Sequence, residues 1–166
     1  MNKHCTRLIG AILSLCAAIP TSTAVAQQCD IVVTGTPTIS PNPVTAGNSI
    51  TVSYTIHNNG PGNAAATQTK IQIKNSAGTT ITQPTFSDPA VNAGANSPVQ
   101  TADVPIPAGT PAGSYTAIVI LDNQSVLNQS NTSNDFTPGV GFAVTSPTQC
   151  DIVVTGTPTI SPNPVT

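Results

Sequence analysis

The eighteen residues QCDIVVTGTPTISPNPVT stand at positions 28–45 and again, letter for letter, at 149–166. The two starts are 121 residues apart (149 − 28), about the length of one small domain. Self-similarity at that period marks a tandem array, and it bounds the folding unit. About 120 residues suffice for one sandwich core and not for two. The chain therefore divides into a leader, residues 1–26, and one unit, residues 27–146. Residues 147–166 follow as a linker and the first strand of a truncated second repeat.

The leader is a signal peptide by its pattern. MNKHCTR is a short basic head, LIGAILSLCAAI is apolar, and PTSTAVA closes on Ala24-Val25-Ala26. Small residues at −3 and −1 suit a signal peptidase, so cleavage is expected after Ala26. The apolar run is too short for the roughly 20 residues of a spanning helix. Leu15 and Gln28 precede Cys16 and Cys29, where a lipid-attachment motif wants a small residue. The mature chain is expected outside the cell or on its surface, with no membrane insertion.

From Gln27 onward Lys70 and Lys74 face six aspartates, a net of −4, with no glutamate and no arginine. Two lysines form no basic patch, which argues against nucleic acid and anionic membranes as partners. After the leader only two leucines occur, Leu121 and Leu127, and the other strong helix formers are scarce. Short β-branched runs between Pro, Gly and Asn clusters read as an all-β domain.

Asp30–Thr34 is expected as a first short strand, and the following TPTISPNP as a sheet edge, because proline offers no donor to a ladder. In NSITVSYTIHN, Ile50, Val52, Tyr54 and Ile56 alternate with polar residues, the signature of a half-buried strand. Asn58–Asn63 turns the chain. Thr67–Lys74 is the next strand, Thr79–Gln83 pairs back, and residues 84–98 form a connection pinned by Phe86 and Val91. Val99–Ile106 and Val140–Val144 are further strands. Tyr115–Asp122 is apolar on both faces and is expected in the middle of a sheet, buried on both sides. Seven or so strands at these spacings make an immunoglobulin-like β-sandwich.

The order DIVVTG, ISPNPVTAGNSITVSYTIHNNGPG, VNAG, PAGSYTAIVILDNQ and VLNQSNTSNDF resembles the CARDB family, the cell-adhesion-related domain found in bacteria. The resemblance spans about residues 30–144. It rests most on the aspartate-led first strand, Ala46-Gly47, Asn58-Asn59-Gly60, Gly113-Ser114-Tyr115 and SNTSND. It implies a seven-stranded immunoglobulin-like sandwich, often in tandem, on exported bacterial proteins. This chain departs from the family's acidic residues in the last stretch, with Asn128 and Thr132 at those positions and Asn134-Asp135 at the usual Asn pair.

Candidate chemistry is sparse. His57 is the only histidine after the leader, on a polar strand face without a second ligand or base, and reads as a surface residue. No GxSxG, HExxH or SxxK pattern occurs, so neither an enzyme nor a cofactor is expected. Asp122, Asn134 and Asp135 could offer oxygens to calcium, but only the ends of the 122–135 stretch are charged. An Asn-rich loop bonded to its own backbone is the simpler reading. Asn123, Asn128 and Asn131 head Asn-x-Ser sequons, read as chance in a bacterial protein. Tyr115 is expected to form a tyrosine corner, and Gly47 and Gly60 to serve turns. Cys29 and Cys150 are equivalent positions of successive units at opposite poles of a sandwich, on the order of 25–35 Å apart. They are not expected to pair within one unit, because a disulfide needs Cα atoms within about 7 Å.

Two functions fit. The first is an exported adhesive or structural module that spaces or presents other domains, with other repeats or a cell-surface protein or polysaccharide as partner. The second is a carbohydrate-binding accessory module of a secreted hydrolase. Sugar platforms present exposed rings, and only Tyr54, Phe86, Tyr115, Phe136 and Phe142 are available. Residues 149–166 are expected to be poorly ordered in an isolated monomer. Their identity with the first strand also makes a weak strand-exchanged oligomer an expectation.

Overall fold

The computed structural model describes residues 26–148 together with 153, 155 and 156. The expected signal peptide, Cys150 and most of the second copy lie outside the described residues. Nine strands follow in chain order: β1 Ile31–Ser40, β2 Val44–Thr45, β3 Ser49–Asn58, β4 Thr67–Asn75, β5 Thr80–Thr82, β6 Thr85–Asp88, β7 Gln100–Pro105, β8 Gly113–Ile120 and β9 Val140–Thr145. The seven with four or more residues are the strands of an immunoglobulin-like sandwich.

One sheet has the order β1-β3-β7. The other runs β2-β9-β8-β4-β5, with β6 also paired to β4. The alternation in β3 sets the inner face of the first sheet, since Ile50, Val52, Tyr54 and Ile56 are buried. Ile71 and Ile73 of β4, Ala117 and Val119 of β8, and Phe142 and Val144 of β9 face them from the second. Period-two burial on facing sheets is what closes a sandwich core.

A polar tie crosses that core. Tyr54 of the first sheet donates its hydroxyl to Asp88 Oδ1 at 2.9 Å, and Thr69 of the second donates to Asp88 Oδ2. Burial pushes the Asp88 carboxyl up from its ordinary range. Burial, and then the Asp88 charge, push the Tyr54 hydroxyl up as well.

Three sequence expectations need correction. The first strand does not end at Thr34. β1 continues to Ser40, and its pairing with β3 breaks only between Thr34 and Thr38. Pro37 falls in that irregular stretch of an edge strand, where its missing donor disturbs no ladder. Residues 84–98 are not all connection, because Thr85–Asp88 pairs with Thr67–Lys70 as β6. Finally, β8 does lie between β9 and β4, yet Thr116, Ile118 and Ile120 are only half-buried. Its outer face is covered in part, with Phe136 bridging to Ile120 and Gly139 close against Thr116.

The pairing fixes the two ends of the unit. Ile31 sits opposite Asn58 and Ser40 opposite Thr51. Thr45 runs parallel beside Thr145. The chain therefore enters the sandwich at one pole and leaves at the other, separated by β1, roughly 33 Å for ten residues.

Candidate functional site

The polar residues singled out in the sequence gather at the N-terminal pole, around the loop 121–137 between β8 and β9. This loop grips the segment that leads into β1. Cys29 N donates to Asn128 O at 3.2 Å, and Ser130 N donates to Cys29 O at 2.9 Å. Ile31 N donates to Gln129 Oε1 at 2.9 Å, and Asn134 Nδ2 donates to Asp30 Oδ1 at 3.0 Å.

Asn58 completes the grip from the opposite side. It is fully buried and uses every side-chain lone pair and proton it has to spare. Its Oδ1 accepts from Asp30 N and Gly60 N, both at 3.0 Å. Its Nδ2 donates to Gly62 O at 2.8 Å and Val91 O at 3.1 Å. Sequence reading placed Asn58 only as a turn residue. Gly60 is required by proximity, because a Cβ there would lie 2.5 Å from the Cys29 carbonyl carbon.

Of the calcium candidates, Asp122 is already committed to its own loop. Its backbone takes the left-handed conformation, φ 41°. Oδ1 accepts from Thr67 Oγ1 at 2.7 Å and Val126 N at 3.1 Å, and Oδ2 from Leu127 N at 3.1 Å. Asp135 Oδ2 accepts from Gln129 Nε2 at 3.0 Å. The buried oxygens Asn123 Oδ1, Asn134 Oδ1 and Asp135 Oδ1 have no protein donor. Burial pushes the Asp135 carboxyl up to about 6, the charges of Asp122 and Asp30 push the same way, and the Gln129 bond opposes them. Of the three candidates, only Asn134 and Asp135 keep a side-chain oxygen without a protein donor. Among the described residues no group of three or more His, Cys, Asp or Glu side chains is placed to hold a metal.

Of the remaining candidates, Tyr115 and Gly47 lie at the C-terminal pole, whereas His57 and Cys29 belong to the N-terminal one. His57 Nδ1 is 2.7 Å from Asn96 Oδ1 at a half-exposed position. Tyr115, at the C-terminal pole, donates its hydroxyl to Pro111 O at 2.8 Å, four residues upstream. Gly47 takes φ 94° in the turn before β3, against Ala108. Cys29 is a free, buried thiol, pushed up first by burial. Of the aromatics, Tyr54, Tyr115 and Phe142 are buried and Phe86 half-buried, whereas Phe136 is 59% exposed. The arrangement can hold a strand by its backbone and side-chain pattern.

No helix among the described residues is long and apolar enough to cross a membrane. No curated protein matches the chain. Solved structures do. A CARDB domain from Pyrococcus furiosus, solved in complex with di-metal ions, is 16% identical, with 74% of this chain and 97% of that one covered at a TM-score of 0.48. A domain of a Methanosarcina acetivorans protein named for the cell surface is 19% identical, with 70% and 91% covered at 0.47. A β-glucosidase from Thermotoga neapolitana, bound to glucose, is 15% identical over 70% of this chain and 16% of that one, at 0.46. The sequence model of the CARDB family matches residues 28–137, most of the unit. With that match and an all-β sandwich to go with it, the chain belongs to the CARDB family.

Proposed function

We propose that the unit is an exported structural module of the bacterial cell surface, spacing and presenting the domains joined to it. The observation that carries this reading is the separation of the chain ends. Cys29 bridges to Gln129 at one pole, whereas Thr145 leaves beside Thr45 at the other. Units joined through a linker as short as residues 146–148 then follow one another lengthwise, and each adds roughly a strand length of reach. The hydroxyl and amide surface keeps such an array soluble with little charge. The grip on residues 28–31 fixes the first strand of each unit against its neighbours.

The carbohydrate reading is weaker on one point of geometry. Phe136 is the one strongly exposed ring among the described aromatics, and sugar-binding faces stack on several. A pull-down of the mature chain on a panel of cell-wall and plant polysaccharides decides between the two. A spacer is retained on none of them. Saturable retention on one polymer, lost in Phe136→Ala, replaces the spacer reading with the accessory-module one.

A further inference from the structure

The grip at the N-terminal pole reads residues, and the same residues occur twice. Gln28 O accepts from Gly62 N at 3.0 Å, and Cys29 is held by the backbone of residues 128 and 130. Asp30 bonds Asn58 and Asn134, and Ile31 bonds Gln129 and is buried. Gln149, Cys150, Asp151 and Ile152 repeat this order, and the identity continues to Thr166. Every contact that seats residues 28–45 is available, atom for atom, to residues 149–166. Val153 is 65% exposed, whereas Val32, its counterpart in β1, is half-buried.

The fold decides whose copy can take the seat. Thr145 lies beside Thr45 at the C-terminal pole. Gln149 is only four residues further on, a reach of about 15 Å at 3.8 Å per step. The place of Gln28 lies at the other pole, roughly 33 Å away along β1. A chain therefore cannot seat its own second copy in its own first slot. We propose that the β1 slot is a docking site for residues 149–166 of a second molecule, which displaces residues 28–45 and joins the two chains by strand exchange. This association does not depend on the spacer reading. In the unaltered protein the exchange is neutral in contacts, and the tethered native strand competes at high effective concentration, so the oligomer is weak.

The test removes the competitor and keeps the ligand. Ile31→Asp in the mature chain puts a charge at a position that is 1% exposed and spoils β1, while Ile152 in the second copy is untouched. A buried unpaired charge costs enough to favour the intact copy by about 100-fold or more. Light scattering at rising concentration should show Ile31→Asp forming oligomers at least about 100-fold more readily than the unaltered chain. The double variant Ile31→Asp/Ile152→Asp should lose those oligomers. In the Ile31→Asp oligomer, Cys150 should resist a thiol reagent and Cys29 should react. The proposal is overturned if the single and double variants show the same size and the same cysteine reactivity, folded or not. Equal oligomers in both mean ordinary aggregation and overturn it as well.

Discussion

At the N-terminal pole side chains add to four backbone bonds on the incoming segment, those of Gln28 O, Cys29 N, Cys29 O and Asp30 O. Asn58, Gln129, Asn134 and Asp30 hold the incoming strand, and Asp122 holds the loop that supplies two of them. The C-terminal pole is closed mostly by backbone. Ala46 N donates to Thr145 O, Gly47 N to Ile106 O, Ile106 N to Asn48 O and Thr110 N to Pro107 O, all at 2.9–3.0 Å. Among side chains, Tyr115 donates to Pro111 O, Asn42 Oδ1 accepts from Ala143 N, and the Thr45 and Thr145 hydroxyls meet at 3.3 Å. Backbone ties accept almost any residue of the right conformation, whereas side-chain ties select a sequence. The pole that receives a strand is the more selective one, because its side-chain hub, Asn58, is fully buried, whereas the Asn42 and Thr45 bonds of the other pole are exposed.

Substitutions at the two poles should separate accordingly. Asn58→Ala strands the Gly62 carbonyl and the Asp30 and Gly60 backbone donors, while Val91 O keeps its bond from Ala64 N, and should lose about 3 kcal/mol or more in urea unfolding. A loss under about 1 kcal/mol would mean that Asn58 is no hub. Gly60→Ala drives a methyl into the Cys29 backbone and should cost about 2 kcal/mol or more. Gly109→Ala at the opposite pole meets nothing within 4 Å and should stay within about 0.5 kcal/mol of the unaltered chain. Equal effects of the two glycine changes would erase the contrast. Tyr115→Phe removes one hydrogen bond and should cost about 1 kcal/mol.

The subtlest effect is on pH dependence. The ordinary carboxyl value is 3.8, and that of Asp135 is pushed up to about 6. The native state therefore holds this proton more tightly than the unfolded chain does. The stability that comes with it is fully present below 3.8 and is lost as pH rises through about 6. Asp88 is shifted in the same direction. The urea midpoint should fall between pH 4 and pH 7, and Asp135→Asn should remove the upper part of that fall. A midpoint that climbs with pH over this range would contradict the buried, donor-poor setting of Asp135.

What the sequence revealed of this molecule follows the range of the interactions. β3 was legible because Ile50, Val52, Tyr54 and Ile56 carry their burial pattern locally. β6 was not, because Thr85–Asp88 becomes a strand only when β4 offers its edge and when Tyr54 and Thr69 claim the Asp88 carboxylate. β8 misled, since its run of apolar residues on both faces says nothing of how thinly residues 136–139 cover the outer one. Asn58 looked like any turn asparagine. Its bonds reach to Asp30 and Val91, contacts that leave no trace in its neighbours along the chain.

The spacer account rests on chain ends held at opposite poles, and a distance measurement on the folded unit tests that directly. Spin labels at Gln27→Cys and Ser146→Cys, with Cys29→Ser and Cys150→Ser to silence the native thiols, report the separation by pulsed dipolar spectroscopy. Both labelled positions are exposed. The account predicts a single distribution at about 30–40 Å, one strand length plus the reach of the labels. A distribution centred below about 15 Å would place both ends at one pole, where successive units could not extend an array.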